Sequence, residues 1–359
     1  MKHNWEVCRI GHFCDVKTGK LDANASCENG LYPFFTCSKD ALRINSFSYN
    51  CECVLIAGNG DLNVKYYNGK FDAYQRTYII TVKPKFEDII SVEYLYNFFR
   101  LYISTLREKS VGGIIKFIKL GDITNAVINV PSLKVQKIIV SELNKINDTI
   151  EDCRELLRNL DALAQSLFYD FFGDPITNTK GWPLYKLSSI SQLINGRAYK
   201  QNELLDEGKY KVIRVGNFFT NSDYYYSDLE LSPEKYIDYG DLIFAWSASF
   251  GAFIWQGDKV IYHYHIWKIL FDDNLLNKIF YKFLLNEMTS SFMKDLHGIG
   301  MMHLTKAGME NYMLPVPPLS LQEQFAARIE QIEEQKKSVE QTIAELQTLL
   351  DSRMDYYFG

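Results

Sequence analysis

Residues 131–173 read PSLKVQKIIVSELNKINDTIEDCRELLRNLDALAQSLFYDFFG. Between Pro131 and Gly173 the stretch contains neither glycine nor proline, the two residues that most often interrupt a helix. Ile139, Leu143, Ile146, Ile150, Cys153, Leu157, Leu160, Ala164 and Leu167 follow alternating steps of four and three, which is the a/d seam of a coiled coil. A helix from about residue 134 to 169 spans roughly 54 Å at 1.5 Å per residue, too long to be buried in one small domain. A second seam follows Pro317-Pro318: Phe325, Ile329, Ile332, Lys336, Val339, Ile343, Leu346, Leu350 and Arg353, with Lys336 and Arg353 as its breaks. The economical arrangement pairs the two helices antiparallel within one chain, one leading away from a domain and the other leading back. Self-association into a homodimeric coil is the alternative; effective concentration favours the intramolecular pair.

Working outward, the whole chain is one unit written twice. Trp5, Ile10, Phe13, Val16, Gly19 and Lys20 reappear 177 residues later as Trp182, Leu187, Ile190, Leu193, Gly196 and Arg197. Leu55-Ile56-Ala57 and Gly69 recur at an offset of 188 as Ile243-Phe244-Ala245 and Gly257. From Gly112 onward the offset is 186: Val130-Pro131, Leu133 and Gln136 become Val316-Pro317, Leu319 and Gln322, and Phe172-Gly173 becomes Phe358-Gly359. Such self-similarity is the mark of a duplicated architecture. The fold class expected is α+β, with two mixed domains in tandem pseudo-repeat separated by two long helices packed as an antiparallel coiled coil. The boundaries expected are 1–130, 131–174, 175–315 and 316–359.

Within each copy, β-rich runs such as Cys53–Ala57 and Tyr78–Val82 precede a helix near Val92–Lys109, matched by Lys278–Leu296. Asn68-Gly69, between Tyr66-Tyr67 and Lys70-Phe71, predicts a hairpin turn, with Gly257-Asp258 in its place in the second copy.

With 359 residues and 47% hydrophobic content the chain can bury two ordinary cores, and no apolar run approaches the roughly 18 residues of a membrane span. The N-terminus lacks the pattern of a secretory signal, so a cytoplasmic location is expected. Seven cysteines in no repeated spacing are expected to be reduced thiols, and Cys51 and Cys53 alone make a poor zinc site. Net charge is −5, unusual for a protein that meets phosphates. The acidity is segregated. Residues 1–130 hold 16 basic and 13 acidic residues, and 175–315 hold 14 and 15. The helical segments hold 5 and 8 (131–174) and 4 and 8 (316–359). There is no phosphate-binding loop, no dinucleotide fingerprint and no Asn-Pro-Pro-aromatic motif, and His12, Cys14 and Asp15 have nothing to orient them as a nucleophilic set. No catalysis and no metal are expected in this chain.

A Trp and a Gly-Lys/Arg turn, then Val130-Pro131-Ser132-Leu133 or Leu314-Pro315-Val316-Pro317-Pro318-Leu319-Ser320-Leu321-Gln322-Glu323-Gln324 ahead of a heptad helix, resemble the specificity subunits of type I restriction-modification enzymes. The Pro-Leu-x-x-Gln-Glu-Gln signature is the specific part. The first copy departs from it with Gln136-Lys137-Ile138, which bears on that helix's partner contacts. The resemblance implies a sequence-specific, non-catalytic reader of bipartite, asymmetric double-stranded DNA, one half-site per domain. It further implies two methyltransferase subunits docked on the helices and using S-adenosylmethionine, with restriction subunits able to join. A type IIB-like recognition subunit is a close variant, and a coiled-coil adaptor with two protein-binding heads is the competing class.

Under this resemblance the residues expected at DNA fall into four groups. Lys17, Thr18 and Lys20 flank the first Gly-Lys turn, and Arg197, Tyr199 and Lys200 the second. Lys116 and His303 belong to the loops at 112–116 and 298–303, which the sequence puts just before the last strand of each domain. Arg214 and Asn217 form a donor pair. His263 and His265 share one face of an apparent strand, with Gln75 and Thr77 as their counterparts at offset 188 and Arg76 beside those. Arg and Asn carry the forks that read guanine and adenine, although each of these residues also suits an ordinary surface turn. Tyr224-Tyr225-Tyr226 suits a β-edge cluster better than base stacking. Removing one heptad from the first helix is expected to change the number of base pairs between half-sites and to leave the half-sites themselves intact, read from the methylation motif of the complex.

Overall fold

A computed structural model describes residues 5–113, 115–220, 222–295 and 304–359. The chain divides into two compact units, 1–155 with 339–359, and 156–338. The first unit contains Glu6–Arg9 (β1), Ile10–Phe13 (α1), Cys14–Thr18 (β2), Tyr32–Phe35 (β3), Leu42–Ile44 (β4), Tyr49–Ala57 (β5), Val64–Ala73 (β6), Thr77–Val82 (β7), Val92–Lys109 (α2), Leu120–Thr124 (α3), Val127–Val130 (β8) and the opening of Leu133–Phe172 (α4). Its main sheet has the order β2-β7-β5-β6-β3-β4, and β1 pairs with β8 apart from it.

The second unit takes the rest of α4, then Leu184–Lys186 (β9), Leu187–Ile190 (α5), Ser191–Asn195 (β10), Tyr210–Ile213 (β11), Val215–Phe219 (α6), Tyr225–Ser227 (β12), Tyr236–Ile237 (β13), Leu242–Ser247 (β14), Ser249–Ile254 (β15), Val260–Tyr262 (β16), Ile266–Phe271 (β17), Lys278–Glu287 (α7), Thr289–Phe292 (α8), Lys306–Glu310 (α9), Met313–Pro315 (β18) and the opening half of Leu319–Phe358 (α10). Its strands form the sheets β10-β17-β14-β15 and β12-β11-β16-β13, with β9 pairing β18.

Two sequence expectations are corrected here. Asn68-Gly69 is not a turn: both residues lie inside β6, opposite Glu52 and Cys51 of β5. The chain reverses instead through 58–63, where Gly60 has φ +69°. Turn chemistry at Asn-Gly loses to a ten-residue strand that pairs with β5 over eight positions. In the second unit the corresponding Gly257-Asp258 lies in a connection between β15 and β16, which pair with different strands. The one long β6 is thus replaced by two short strands, which splits one sheet into two. The helix expected over Lys278–Leu296 also breaks, into α7, α8 and a 3-10 turn Met293–Asp295.

Each long helix begins on the same device. Gln136 is wholly buried, and its amide donates to the carbonyls of Ile89 and Pro131, both at 2.7 Å, while its oxygen accepts the Ser91 N–H at 2.9 Å. Gln322 repeats this with Leu275 (2.9 Å), Pro317 (2.8 Å) and the Asn277 N–H (2.8 Å). Ser91 and Asn277 are in turn the N-caps of α2 and α7. One buried amide therefore ties the first turn of the long helix to the segment that starts the domain's own helix.

Along the seam, Ile139, Leu143, Ile146 and Ile150 are buried in the first unit with Leu350 and Met354, and Ile343 and Leu346 pack against them. In the second unit Leu160 and Ala164 are buried with Phe325, Ile329 and Ile332. Leu157 and Val339 are half-buried. Beyond Ala164 the buried stripe moves from Leu167, which is half-buried, to Phe168 and Phe172, because these rings stack into an aromatic cluster with Phe280 and Phe325. The two seam breaks are ion pairs, Lys336 with Asp161 at 2.8 Å and Arg353 with Glu142 at 2.9 Å. Early α4 meets late α10 in the first unit, where Tyr357 also donates to Glu142 (2.7 Å), and late α4 meets early α10 in the second, so the helices run antiparallel. α4 stops at Gly173, which adopts φ +73° and returns its N–H to Tyr169 at 2.8 Å. Among the described residues no helix is long and apolar enough to cross a membrane.

Truncating Gln136 strands two carbonyls and an N–H in the interior, at about 1 to 3 kcal/mol for each group left unpaired. Gln136→Ala is expected to lower the denaturant midpoint of the first unit, and Gln322→Ala that of the second. Tryptophan fluorescence assigns the transition, since Trp182, Trp246, Trp255 and Trp267 lie in the second unit and only Trp5 in the first.

Candidate nucleic-acid interface

The Gly-Lys and Gly-Arg turns build the same backbone site in both units. Gly19 donates to Thr77 O at 3.1 Å and Gly196 to Ile266 O at 3.2 Å. A Cβ on Gly19 would lie 2.1 Å from Ala73 O, and one on Gly196 2.3 Å from Tyr262 O, so only glycine allows this approach. The turn they press against is held identically: Gly58 N to Arg76 O (2.8 Å) and Ile118 N to Gly58 O (3.0 Å) in one unit, Trp246 N to His265 O (3.1 Å) and Leu304 N to Trp246 O (3.4 Å) in the other.

These bonds correct the register. Leu21 bridges Tyr74 as Arg197 bridges His263, so Arg197 stands where the first unit has Leu21 and not where it has Lys20, and the offset of 177 ends at the glycine. The counterparts of His263 and His265 are therefore Tyr74 and Arg76, not Gln75 and Thr77, because the second copy carries one extra residue where β6 is split. Nor are the two histidines on a strand: they flank Tyr264 in the turn between β16 and β17.

Between the two turns each unit has an open cleft, of about 320 Å³ in the first and about 380 Å³ in the second. Eight lining positions correspond while their side chains differ; Phe117, which also lines the first cleft, has its counterpart at 303, outside the described residues. Thr18, Gly58, Gln75 and Arg76 stand where the second unit has Asn195, Trp246, Tyr264 and His265. Tyr78, Ile118, Lys119 and Leu120 stand where it has Trp267, Leu304, Thr305 and Lys306. The sequence reading missed Asn195, Trp246, Lys119, Thr305 and Lys306. A signal existed for Trp246: one position beyond the aligned Leu55-Ile56-Ala57 and Ile243-Phe244-Ala245 stands glycine in one copy and tryptophan in the other.

The expected site residues divide around these clefts. Thr18 and Arg76 line the first, and Lys17 and Lys20 are exposed beside it. Lys116 is exposed, with its carbonyl accepting from Gly60 N at 3.1 Å. Its loop does not lead directly into the last strand, since α3 intervenes before β8. Arg197 forms a two-pronged pair with Glu203, both contacts 2.8 Å, that holds the Glu203 carboxyl down to about 2. Its guanidinium lies over Tyr199, whose ring stacks 6.5 Å from His263. Burial raises the Tyr199 phenol and, with the charges of His265 and Arg214, brings His263 down to about 4, so that its imidazole is neutral at pH 7. His265 lines the second cleft, and Lys200 is exposed.

Arg214 stands over Tyr225 at 4.2 Å, beside a separate depression of about 470 Å³ that Asp206 and Asp223 also line. Asn217 is committed locally: its oxygen accepts Arg214 N at 2.7 Å and its amide donates to Ser222 O at 2.7 Å. Tyr225 is in the edge strand β12. His303, with 298–302, and Ile114 lie outside the described residues. Cys14 is buried, which pushes its thiol up to about 12, out of the range of a nucleophile. Cys53 is wholly buried beside half-buried Cys51, and among the described residues no group of three His, Cys, Asp or Glu is placed to hold a metal.

The duplicated frame has a counterpart among known families. A family profile described as "Type I restriction modification DNA specificity domain" matches residues 2–160 and again 179–348. The chain belongs to this specificity-domain family. Among relatives of this specificity-domain protein, the EcoDI specificity subunit of Escherichia coli is 38% identical over 162 residues, 45% of this chain and 35% of the relative. The EcoBI subunit of the same species is 25% identical over 172 residues, 47% of this chain and 36% of the relative. The match thus spans about a third of the length of each of these two. The MjaVIII specificity subunit of Methanocaldococcus jannaschii is 22% identical over 97% of this chain and 92% of its own. A crystal structure of the S subunit of a type I system from M. genitalium has the same fold, with a TM-score of 0.59 at 16% identity over 100% of this chain and 97% of that one. A structure described for complex assembly and conformational transition of the type I system gives 0.57 at 18% identity, over 99% and 97%.

His263 sets an acid sensitivity for this specificity-domain protein. Its folded pKa lies below the ordinary 6.5, so the unfolded chain binds the proton more readily, and the stability due to neutral His263 is lost as pH falls from about 6.5 through about 4. The second unit's melting temperature, followed by tryptophan fluorescence, is expected to drop over this window and to drop less in His263→Gln.

Proposed function

We propose that this protein is the DNA-specificity subunit of a type I restriction-modification complex, reading a bipartite, asymmetric double-stranded target with one half-site per unit. The observation that carries the reading is the cleft built twice: one backbone frame, held by matching hydrogen bonds, with different residues at the eight lining positions the two clefts share. A reader of two unlike half-sites needs this combination, because the frame sets how the groove is approached and the lining sets which bases satisfy it. The recognition segments are 1–130 and 175–315, and the helical segments 131–174 and 316–359 carry the partners.

The chain contributes no chemistry of its own. Two methyltransferase subunits dock on the helices, bring S-adenosylmethionine and methylate adenine, and restriction subunits join them, in the cytoplasm with the genome. The charge distribution supports this division. The excess of acid sits in the helices, 8 acidic to 5 basic and 8 to 4, while the first recognition segment is net basic. The recognition segments together are close to neutral, so partners supply much of the attraction to phosphate. Residues expected at DNA are Lys17, Thr18, Lys20, Arg76, Lys116, Lys200, His265 and His303, with Arg197, Tyr199, Arg214 and His263 supporting the second site.

Single-molecule sequencing of a genome with and without this gene tests the proposal. Loss of one split methyladenine motif on deletion is the expected result. An unchanged methylome in a strain whose partner methyltransferase is active would sink it in favour of a protein adaptor.

A further inference from the structure

The two clefts differ in the chemistry they present. In the first, the turn carrying Arg76 is pinned on both sides by backbone bonds, Gln75 N to Leu21 O at 2.9 Å and Thr77 N to Tyr74 O at 2.8 Å. The Arg76 side chain is exposed, and among the described residues its guanidinium has no hydrogen-bond or ion-pair partner. Gly58, beneath it, adds no side chain to the cleft. A fixed backbone with an uncommitted planar fork is the arrangement that meets the O6 and N7 acceptors of guanine with two parallel hydrogen bonds.

In the second cleft the equivalent of Gly58 is Trp246, stacked at 5.2 Å and 17° on buried Trp267, so one wall is a flat apolar surface. The equivalent of Arg76 is His265, and the fork is gone. The polar lining includes Asn195, the last residue of β10, with Thr305 and Lys306. The Asn195 amide is exposed and without a hydrogen-bond partner among the described residues. An amide with one donor edge and one acceptor edge matches N6 and N7 of adenine, and the indole wall suits the methyl group of the paired thymine.

We propose that the clefts read different base pairs, Arg76 recognising a guanine in one half-site and Asn195, against the Trp246 wall, recognising an A·T pair in the other. This rests on the reading of the chain as a specificity subunit. The two readings fail in different ways: if the specificity role is wrong, the unaltered chain directs no split motif, whereas if only the base assignment is wrong, a split motif exists and ignores these side chains.

The experiment is methylome sequencing of cells carrying the partner methyltransferase with the unaltered chain, Arg76→Gln, Arg76→Lys or Asn195→Ala, each checked for unchanged melting temperature. Arg76→Gln is expected to relax one guanine position by about ten- to a hundredfold, with the other half-site and the spacer unchanged. Arg76→Lys, which keeps the charge and loses the fork, is expected to relax the same position. Asn195→Ala is expected to relax one A·T position in the opposite half-site. A motif identical base for base in all variants overturns the proposal, as does relaxation at a position of the other base type. Loss of all methylation by both Arg76 variants at unchanged melting temperature also overturns it, since Arg76 would then supply affinity without discrimination.

Discussion

A buried glutamine amide at the first turn of each long helix is the constraint on which the architecture depends. A rigid helix joined to a globular domain by a single peptide would leave the angle between them undefined. Gln136 and Gln322 remove that freedom by bonding to three backbone groups from two separate segments. The bonds are inside the protein, where a lost partner costs the full desolvation of the group left behind. The same residue that caps α2 or α7 also donates to the amide, so domain helix and long helix are set by one shared contact.

From this junction the helices carry two kinds of information on different faces. The seam buries aliphatic residues in both units and turns aromatic at Phe168, Phe172 and Phe325 in the second core. Its two charged breaks are not defects, because Lys336 and Arg353 meet Asp161 and Glu142. The solvent-facing positions keep the acid that makes the whole chain negative. An overall charge of −5 is therefore a poor guide to what the recognition segments can approach.

Duplication with divergence explains how one frame serves two readings. Glycines that cannot be replaced and backbone hydrogen bonds hold the two clefts on one frame, while the lining side chains differ. Where a side chain is drawn into the frame, it is lost to recognition: Arg197 is bound to Glu203, and Asn217 closes its own loop.

The sequence by itself determined the duplication, the α+β class, the two long helices with most of their seam, and the glycine turns at the clefts. These are properties of periodicity and spacing, which local physics writes directly into the chain. It also located Thr18, Arg76 and His265 near the site. Tertiary structure decided what depends on hydrogen bonds between distant segments. It decided that Asn68-Gly69 continues a strand, since pairing with β5 outweighs local turn preference. A one-residue insertion shifts the histidines' counterparts to Tyr74 and Arg76, and no linear offset reveals where such a residue is absorbed. Only the folded chain brings Asn195, Trp246 and Lys306 to one cleft, because they come from three separate segments and share nothing along the sequence.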